Sequence, residues 1–124
     1  MHLRTPLSRA KGLGSAKEGI GHWWMQRVSS LFLIPLIVWG ALMIASLGDY
    51  SHRNFTNWLS EPVNAILMML LLVTGCYHAA LGLQVVVEDY VHKVSLKLMS
   101  IIMIYFSLFI LTVVGVFAVV EIAF

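Results

Sequence analysis

The chain has 124 residues, of which 60% are hydrophobic and only 11% are charged. A soluble domain of this length leaves much of its surface in water and carries roughly 25% charged residues, so the composition excludes a small soluble fold and favours an integral membrane protein. The net charge of +2 does not support nucleic-acid binding, because the basic residues form no stripe along a helix face. The single cysteine, Cys76, lies in an apolar run, forms no intrachain disulfide and is expected to be a packing residue.

The polar start of the chain contrasts with the rest. Residues 1–22 contain four basic residues among glycines and serines, namely Arg4, Arg9, Lys11 and Lys17. Because this composition cannot bury a core, we expect a flexible cytoplasmic tail. Residues 23–124 are expected to form one all-α membrane domain.

Three apolar runs are long enough to cross a hydrocarbon core about 30 Å thick, over residues 28–47, 62–87 and 98–120. Pro35 in the first run predicts a local kink, which a membrane helix tolerates. We expect residues 48–61 to form a solvated turn with Trp58 at the membrane interface, and the second loop to reach residue 97.

Positive charges near the membrane ends predict the orientation of the spans. Five Lys and Arg lie on the amino-terminal side, counting Arg27, against Arg53 alone in the first loop and Lys93 and Lys97 in the second. Because cytoplasmic loops carry an excess of Lys and Arg, we expect a cytoplasmic N-terminus and a periplasmic C-terminus. In a mitochondrion the matrix would replace the cytoplasm.

His78 is the one histidine inside a predicted span, and a titratable side chain at membrane depth is a candidate functional residue. It precedes Asp89 by eleven residues, which places it about 16 Å from the helix end, near mid-bilayer. Gly75 and Gly82 share its face. Small residues beside a histidine leave room for a haem or for a neighbouring helix, so haem ligation, an interhelical hydrogen bond and a proton relay all fit the pattern.

Further polar positions have two interpretations each. Asp89 and Tyr90 stand where the second span ends, either as an exposed acid and an interfacial tyrosine or as partners of a quinone carbonyl. Arg27, with Ser30 one turn further in, is either a snorkelling anchor or the partner of a haem propionate.

The residues Tyr77-His78-Ala79-Ala80-Leu81-Gly82-Leu83-Gln84, closing with Glu88-Asp89-Tyr90-Val91, resemble the second helix of a known family. This family is the smaller hydrophobic membrane anchor of bacterial succinate dehydrogenase (respiratory complex II). Gly14-Ser15-Ala16-Lys17 and His22-Trp23-Trp24-Met25-Gln26-Arg27-Val28-Ser29 are similar to its amino-terminal signature. The larger anchor of the same complex usually has an Arg-His pair where this chain has Leu83-Gln84, so the resemblance favours the smaller anchor.

The resemblance implies that His78 is one axial ligand of the haem b iron, with Gly82 beside it, and that the larger anchor protein gives the other ligand. Tyr90 would donate a hydrogen bond to ubiquinone with Asp89 beside it. Arg27, together with Ser30, would lie near the haem propionates or the quinone pocket. FAD and the iron–sulfur clusters would belong to the flavoprotein and iron–sulfur subunits, which oxidise succinate, so this chain would not be catalytic in isolation.

The resemblance also implies a multi-pass protein surrounded by lipid in the bacterial cytoplasmic membrane, in preference to the mitochondrial inner membrane. The rival hypothesis is a small non-catalytic membrane scaffold that packs against a partner without haem. In that case Gly75 and Gly82 are helix contacts and His78 forms an interhelical hydrogen bond.

Overall fold

The computed structural model describes Leu7 and residues 16–124, with side chains described at Leu7 and from residue 19 onward. Four helices account for most of residues 16–124: α1 (Ala16–Ser46), α2 (His52–Leu59), α3 (Pro62–Tyr90) and α4 (Val94–Ala123). Helices α1, α3 and α4 contain 31, 29 and 30 residues and are apolar enough to cross a membrane. Each is about 45 Å long at 1.5 Å per residue, more than the hydrocarbon core requires. The all-α fold with three spans is confirmed, and the chain is a multi-pass membrane protein.

The long helices extend beyond the apolar runs that predicted them. Helix α1 begins at Ala16 and continues through Pro35, so residues 16–22 of the expected tail are helical. Apart from Leu7, the earlier part of that tail lies outside the described residues. The loop before α4 contains only residues 91–93, which is shorter than expected. Hydropathy identifies the apolar part of each span, whereas helical hydrogen bonding continues beyond it at both ends.

The prediction of a solvated turn over residues 48–61 was wrong, because this segment contains α2. Leu59 at the end of α2 is 2% exposed and packs with one residue of α3 and one of α4, Ala65 and Val119. Trp58 is half-buried, and its ring stacks on Trp39 of α1 at 5.7 Å between ring centroids. Apolar side chains on one face of a short helix therefore fold it back over one end of the spans.

Helix α3 is the middle helix and separates α1 from α4, whose described Cα atoms do not come within 8 Å of each other. Along the α1–α3 contact the residue numbers run in opposite directions: Gln26 lies beside Gly82, and Gly40 beside Leu71. The two helices are therefore antiparallel. This arrangement places the start of α1 and the end of α3 at the same end of the domain. His78 lies between that end and the middle of the helix pair.

Candidate polar site between the first and middle spans

His78 lies on the face of α3 that contacts α1, and both of its ring nitrogens have polar neighbours there. Its Nδ1 is 2.8 Å from the Ser29 hydroxyl oxygen, and its Nε2 is 3.3 Å from the side-chain nitrogen of Gln26. The imidazole is half-buried. The histidine predicted from the sequence therefore links the middle span to the first span through hydrogen bonds.

Ser29 and Gln26 are the residues that the sequence reasoning missed. They are one helical turn apart, so both side chains face α3. The Ser29 side chain is only 5% exposed, and among the described residues it is the one polar residue that is classed as buried. Its hydroxyl donates to the carbonyl oxygen of Gln26 at 3.0 Å, which gives the buried group a second partner. Two polar residues spaced three apart at the start of an apolar run were the signal available in the sequence.

The glycines beside His78 contact α1 without crowding it. A Cβ atom at Gly82 would stand 3.6 Å from the Gln26 side-chain nitrogen, and one at Gly75 would stand 3.9 Å from a methyl group of Leu33. Both are ordinary van der Waals distances. The space above Gly82 is therefore filled by a flexible amide, which also faces Nε2 of His78.

Two polar atoms near this cluster have no hydrogen-bond partner among the described residues. They are Oε1 of Gln26 and Nε2 of His22, one turn earlier on the same helix, and both atoms are buried. The large majority of buried polar atoms in proteins are paired, so two unpaired atoms this close together are unusual. The unpaired atoms extend the polar surface of α1 from Ser29 towards the predicted cytoplasmic end.

Arg27 and Ser30 do not join His78 in the same way. The Arg27 guanidinium lies over the ring of Trp23, 5.3 Å from its centroid, and the side chain is exposed. The hydroxyl of Ser30 donates to the Gln26 carbonyl at 2.8 Å, within its own helix. The structure thus brings Ser29, and not its neighbour, to the imidazole.

Asp89 and Tyr90 form the exposed end of α3, which ends at Tyr90. Asp89 is exposed and the Tyr90 side chain is 79% exposed. His92 Nδ1 donates to the Tyr90 carbonyl at 3.1 Å, next to the end of the helix. Because α1 and α3 are antiparallel, Arg27 belongs to the same end of the domain. The acid and the phenol are therefore open to a partner.

A second polar network, also missed from the sequence, ties the end of α3 to α4. The Tyr105 hydroxyl donates to Gln84 Oε1 at 2.8 Å, and Gln84 Nε2 donates to a carboxylate oxygen of Glu88 at 2.7 Å. The Lys97 ammonium donates to the Glu88 carbonyl at 3.1 Å, which satisfies one of the unpaired carbonyls at the helix end. These bonds hold in place the turn from which Asp89 and Tyr90 project.

Three long apolar helices, with a hydrogen-bonded histidine in the middle one and an exposed acid–phenol pair at its end, define a helical membrane protein with a polar site between its first and middle spans. The model of the succinate dehydrogenase/fumarate reductase transmembrane subunit family matches residues 1–118. The chain therefore belongs to this family.

Its relatives include proteins named succinate dehydrogenase hydrophobic membrane anchor subunit. The Rickettsia bellii protein is 38% identical over 90 residues, which cover 72% of this chain and 71% of the relative. The Rickettsia conorii protein is 32% identical over 106 residues, 83% of this chain and 84% of the relative. The Paracoccus denitrificans protein is 30% identical over 90 residues, 73% and 70% of the two chains.

Proposed function

We propose that this chain is the hydrophobic membrane anchor subunit of a bacterial succinate dehydrogenase. In this role it docks the flavoprotein and iron–sulfur subunits to the membrane, supplies one axial ligand to haem b and borders the site of ubiquinone reduction. The observation that supports this most is the environment of His78, whose Nδ1 is bonded to Ser29 while its Nε2 faces a flexible amide.

The residues present fit one axial ligand of a haem. His78 is the residue of this chain that would ligate the haem iron, because an imidazole nitrogen is a common ligand of haem iron. The side chain in front of Nε2 is Gln26, whose Oε1 has no partner and whose nitrogen makes only the 3.3 Å contact. Withdrawing this amide therefore costs little. When bound, haem b supplies a one-electron carrier within the membrane.

Three further residues of this chain, Gly82, Arg27 and Ser30, are proposed to lie near the haem. His78 would be the ligand that this chain gives to the haem iron, and the larger anchor protein of the complex would give the second. Gly82 has no side chain of its own beside the imidazole, and the space above it is occupied by the Gln26 amide, which would have to withdraw for the haem. Arg27 is the proposed partner of the propionates or of the quinone pocket, because a guanidinium binds a carboxylate through two parallel bonds. Ser30 steadies that turn of α1 through its bond to the Gln26 carbonyl.

Tyr90 and Asp89 are the proposed contribution of this chain to the quinone site. A phenol hydroxyl donates to a quinone carbonyl and polarises it, and a neighbouring carboxylate orients the phenol or passes a proton. Both side chains are exposed at the end of α3, where the positive-inside rule places the cytoplasm. FAD and the iron–sulfur clusters belong to the partner subunits, and the complex lies in the bacterial cytoplasmic membrane.

A reduced-minus-oxidised visible spectrum of the complex purified through this chain tests the haem assignment. We expect a b-type signal in the natural complex and its loss in His78→Ala, with the chain still inserted in the membrane. His52→Ala is the matched control, because His52 is an exposed histidine on α2, and it should keep the signal. An unchanged spectrum in the assembled His78→Ala complex would contradict the proposal.

The second candidate function is a scaffold without haem. It is favoured by the contacts of Gly75 and Gly82 with α1 and by the two bonds that His78 makes across the helix interface. A purified scaffold would be colourless. In that case His78→Ala would weaken helix packing by roughly 0.6–2 kcal/mol, typical of interhelical hydrogen bonds in membranes.

A further inference from the structure

The Ser29 hydroxyl contacts two groups that together restrict the direction in which its single hydrogen points. It donates to the Gln26 carbonyl at 3.0 Å and lies 2.8 Å from His78 Nδ1. A hydroxyl has one hydrogen to donate and lone pairs to accept with. With that hydrogen directed to the carbonyl, the oxygen accepts from an Nδ1–H of the imidazole.

The neighbour of the other ring nitrogen leads to the same assignment. His78 Nε2 faces the side-chain nitrogen of Gln26 at 3.3 Å, and an amide nitrogen only donates. An imidazole with hydrogen on Nε2 would set two donors against each other. With the amide nitrogen on this side, the two contacts fit the neutral tautomer with hydrogen on Nδ1 and a lone pair on Nε2.

We propose that Ser29 is the positioning residue that prepares His78 for iron. Its hydroxyl fixes the ring orientation and holds the hydrogen on Nδ1, so that Nε2 presents its lone pair towards Gln26 and Gly82. The proposal rests on the proposed function, because a ligand nitrogen needs preparing only if His78 binds haem. Metal-ligating histidines generally donate their second N–H to a carboxylate, a backbone carbonyl or a water, which orients the ring and makes the ligand more basic, and the Ser29 hydroxyl oxygen is an acceptor that can do the same.

Loss of this hydroxyl has two consequences that a purely structural serine would not have. A less basic ligand stabilises ferric iron less, so the haem midpoint potential should rise in Ser29→Ala. Retention of the haem should also fall, by roughly 10- to 100-fold in affinity, which is typical when an outer-shell partner of a metal ligand is removed. Ser29→Thr keeps a hydroxyl at the same place and should restore both properties.

The experiment is an anaerobic redox titration of the b-type absorption, with haem content per complex, for the natural complex and five variants. Ser29→Ala should show a higher midpoint potential and less haem, Ser29→Thr natural values, and His78→Ala no signal. Ser29→Cys introduces a side chain that is close in size but a weak hydrogen-bond acceptor, so it should show an intermediate midpoint potential. This variant keeps the test possible if Ser29→Ala does not assemble. Ser46→Ala is the matched control, since Ser46 is an exposed serine of α1 that bonds to a carbonyl of its own helix at 2.7 Å.

The outcomes separate this inference from the proposed function. A natural complex without a b-type signal, or a His78→Ala complex that keeps it, overturns the haem assignment and the role of Ser29 together. The role of Ser29 alone is overturned if the b-type signal depends on His78 but the assembled Ser29→Ala or Ser29→Cys complex has the midpoint potential and haem content of the natural complex. A shift of the same size in Ser46→Ala also overturns it.

Discussion

A methyl group added at Gly82 distinguishes a haem-facing glycine from a helix-packing one. In the structure the new Cβ atom would stand 3.6 Å from the Gln26 side-chain nitrogen, an ordinary contact, so α1 and α3 accommodate it. Alanine also favours a helix over glycine by about 1 kcal/mol, so the Gly82→Ala chain should fold at least as well as the natural one. The only expected cost arises where a haem must lie against this surface.

The size of that cost follows from overpacking. One extra methylene in a filled site typically costs about 1–3 kcal/mol. At about 1.4 kcal/mol for each factor of ten, haem affinity should fall roughly 5- to 140-fold. Gly40→Ala is the matched control, because its Cβ would make a similar contact, 3.7 Å from a methyl group of Leu71, towards the other end of the same helix pair.

The assay measures haem content per purified complex and the rate at which haem transfers to excess apomyoglobin. Gly82→Ala should contain less haem and lose it faster, whereas Gly40→Ala should match the natural complex. Natural haem content and transfer rate in Gly82→Ala would refute the reasoning and leave the glycine as a helix contact. Equal losses in both variants would refute it as well, since helix spacing would then be the cause.

Two further predictions concern the ends of the domain. Tyr90→Phe removes only the hydroxyl proposed to polarise the quinone, so quinone reduction by the assembled complex should slow by roughly 10²–10⁴-fold, the range for loss of a positioned acid or base. Tyr50→Phe, which changes an exposed tyrosine beyond α1, should have no effect on this rate. Natural rates in Tyr90→Phe would exclude this role. Leu59→Ala leaves a cavity at a side chain that is 2% exposed, so it should destabilise the domain by about 2–5 kcal/mol in a detergent unfolding assay. Leu31→Ala, at a side chain that is 68% exposed, should have a much smaller effect. Equal effects would show that α2 does not stabilise the spans.

The membrane-spanning architecture could be predicted from the sequence because lipid imposes one dominant requirement. A run of about 20 apolar residues has few alternatives to a spanning helix, and all three such runs became spans. Helix α2 obeys a weaker rule. Its eight residues, His52–Leu59, mix charged, polar and apolar side chains, so no long apolar run predicts this helix. Its stability depends on tertiary contacts of Trp58 and Leu59, which a local pattern does not contain.

The candidate site was predictable in its centre but not in its surroundings. His78 is conspicuous because a titratable side chain inside a span is rare. Ser29 is not, because serine is common in membrane helices and its neighbour Ser30 carries the same group. Only the antiparallel alignment of α1 with α3 decides which of the two faces the imidazole, and that alignment is a property of helix packing. The same is true of the bond between Tyr105 and Gln84, which depends on how α3 and α4 meet.

The two interpretations of His78, an interhelical hydrogen bond and a haem ligand, are compatible because they use different nitrogens. The bond to Ser29 occupies Nδ1, and nothing in iron ligation through Nε2 requires it to break. The contact that must be given up is the one with Gln26, whose nitrogen is 3.3 Å from Nε2 and whose oxygen has no partner. The chain without haem would therefore keep its first and middle helices together through Ser29, with the ligand nitrogen covered by a weakly held amide. A helix contact of this kind would prepare the site for haem before the proposed partner subunit supplied a second ligand.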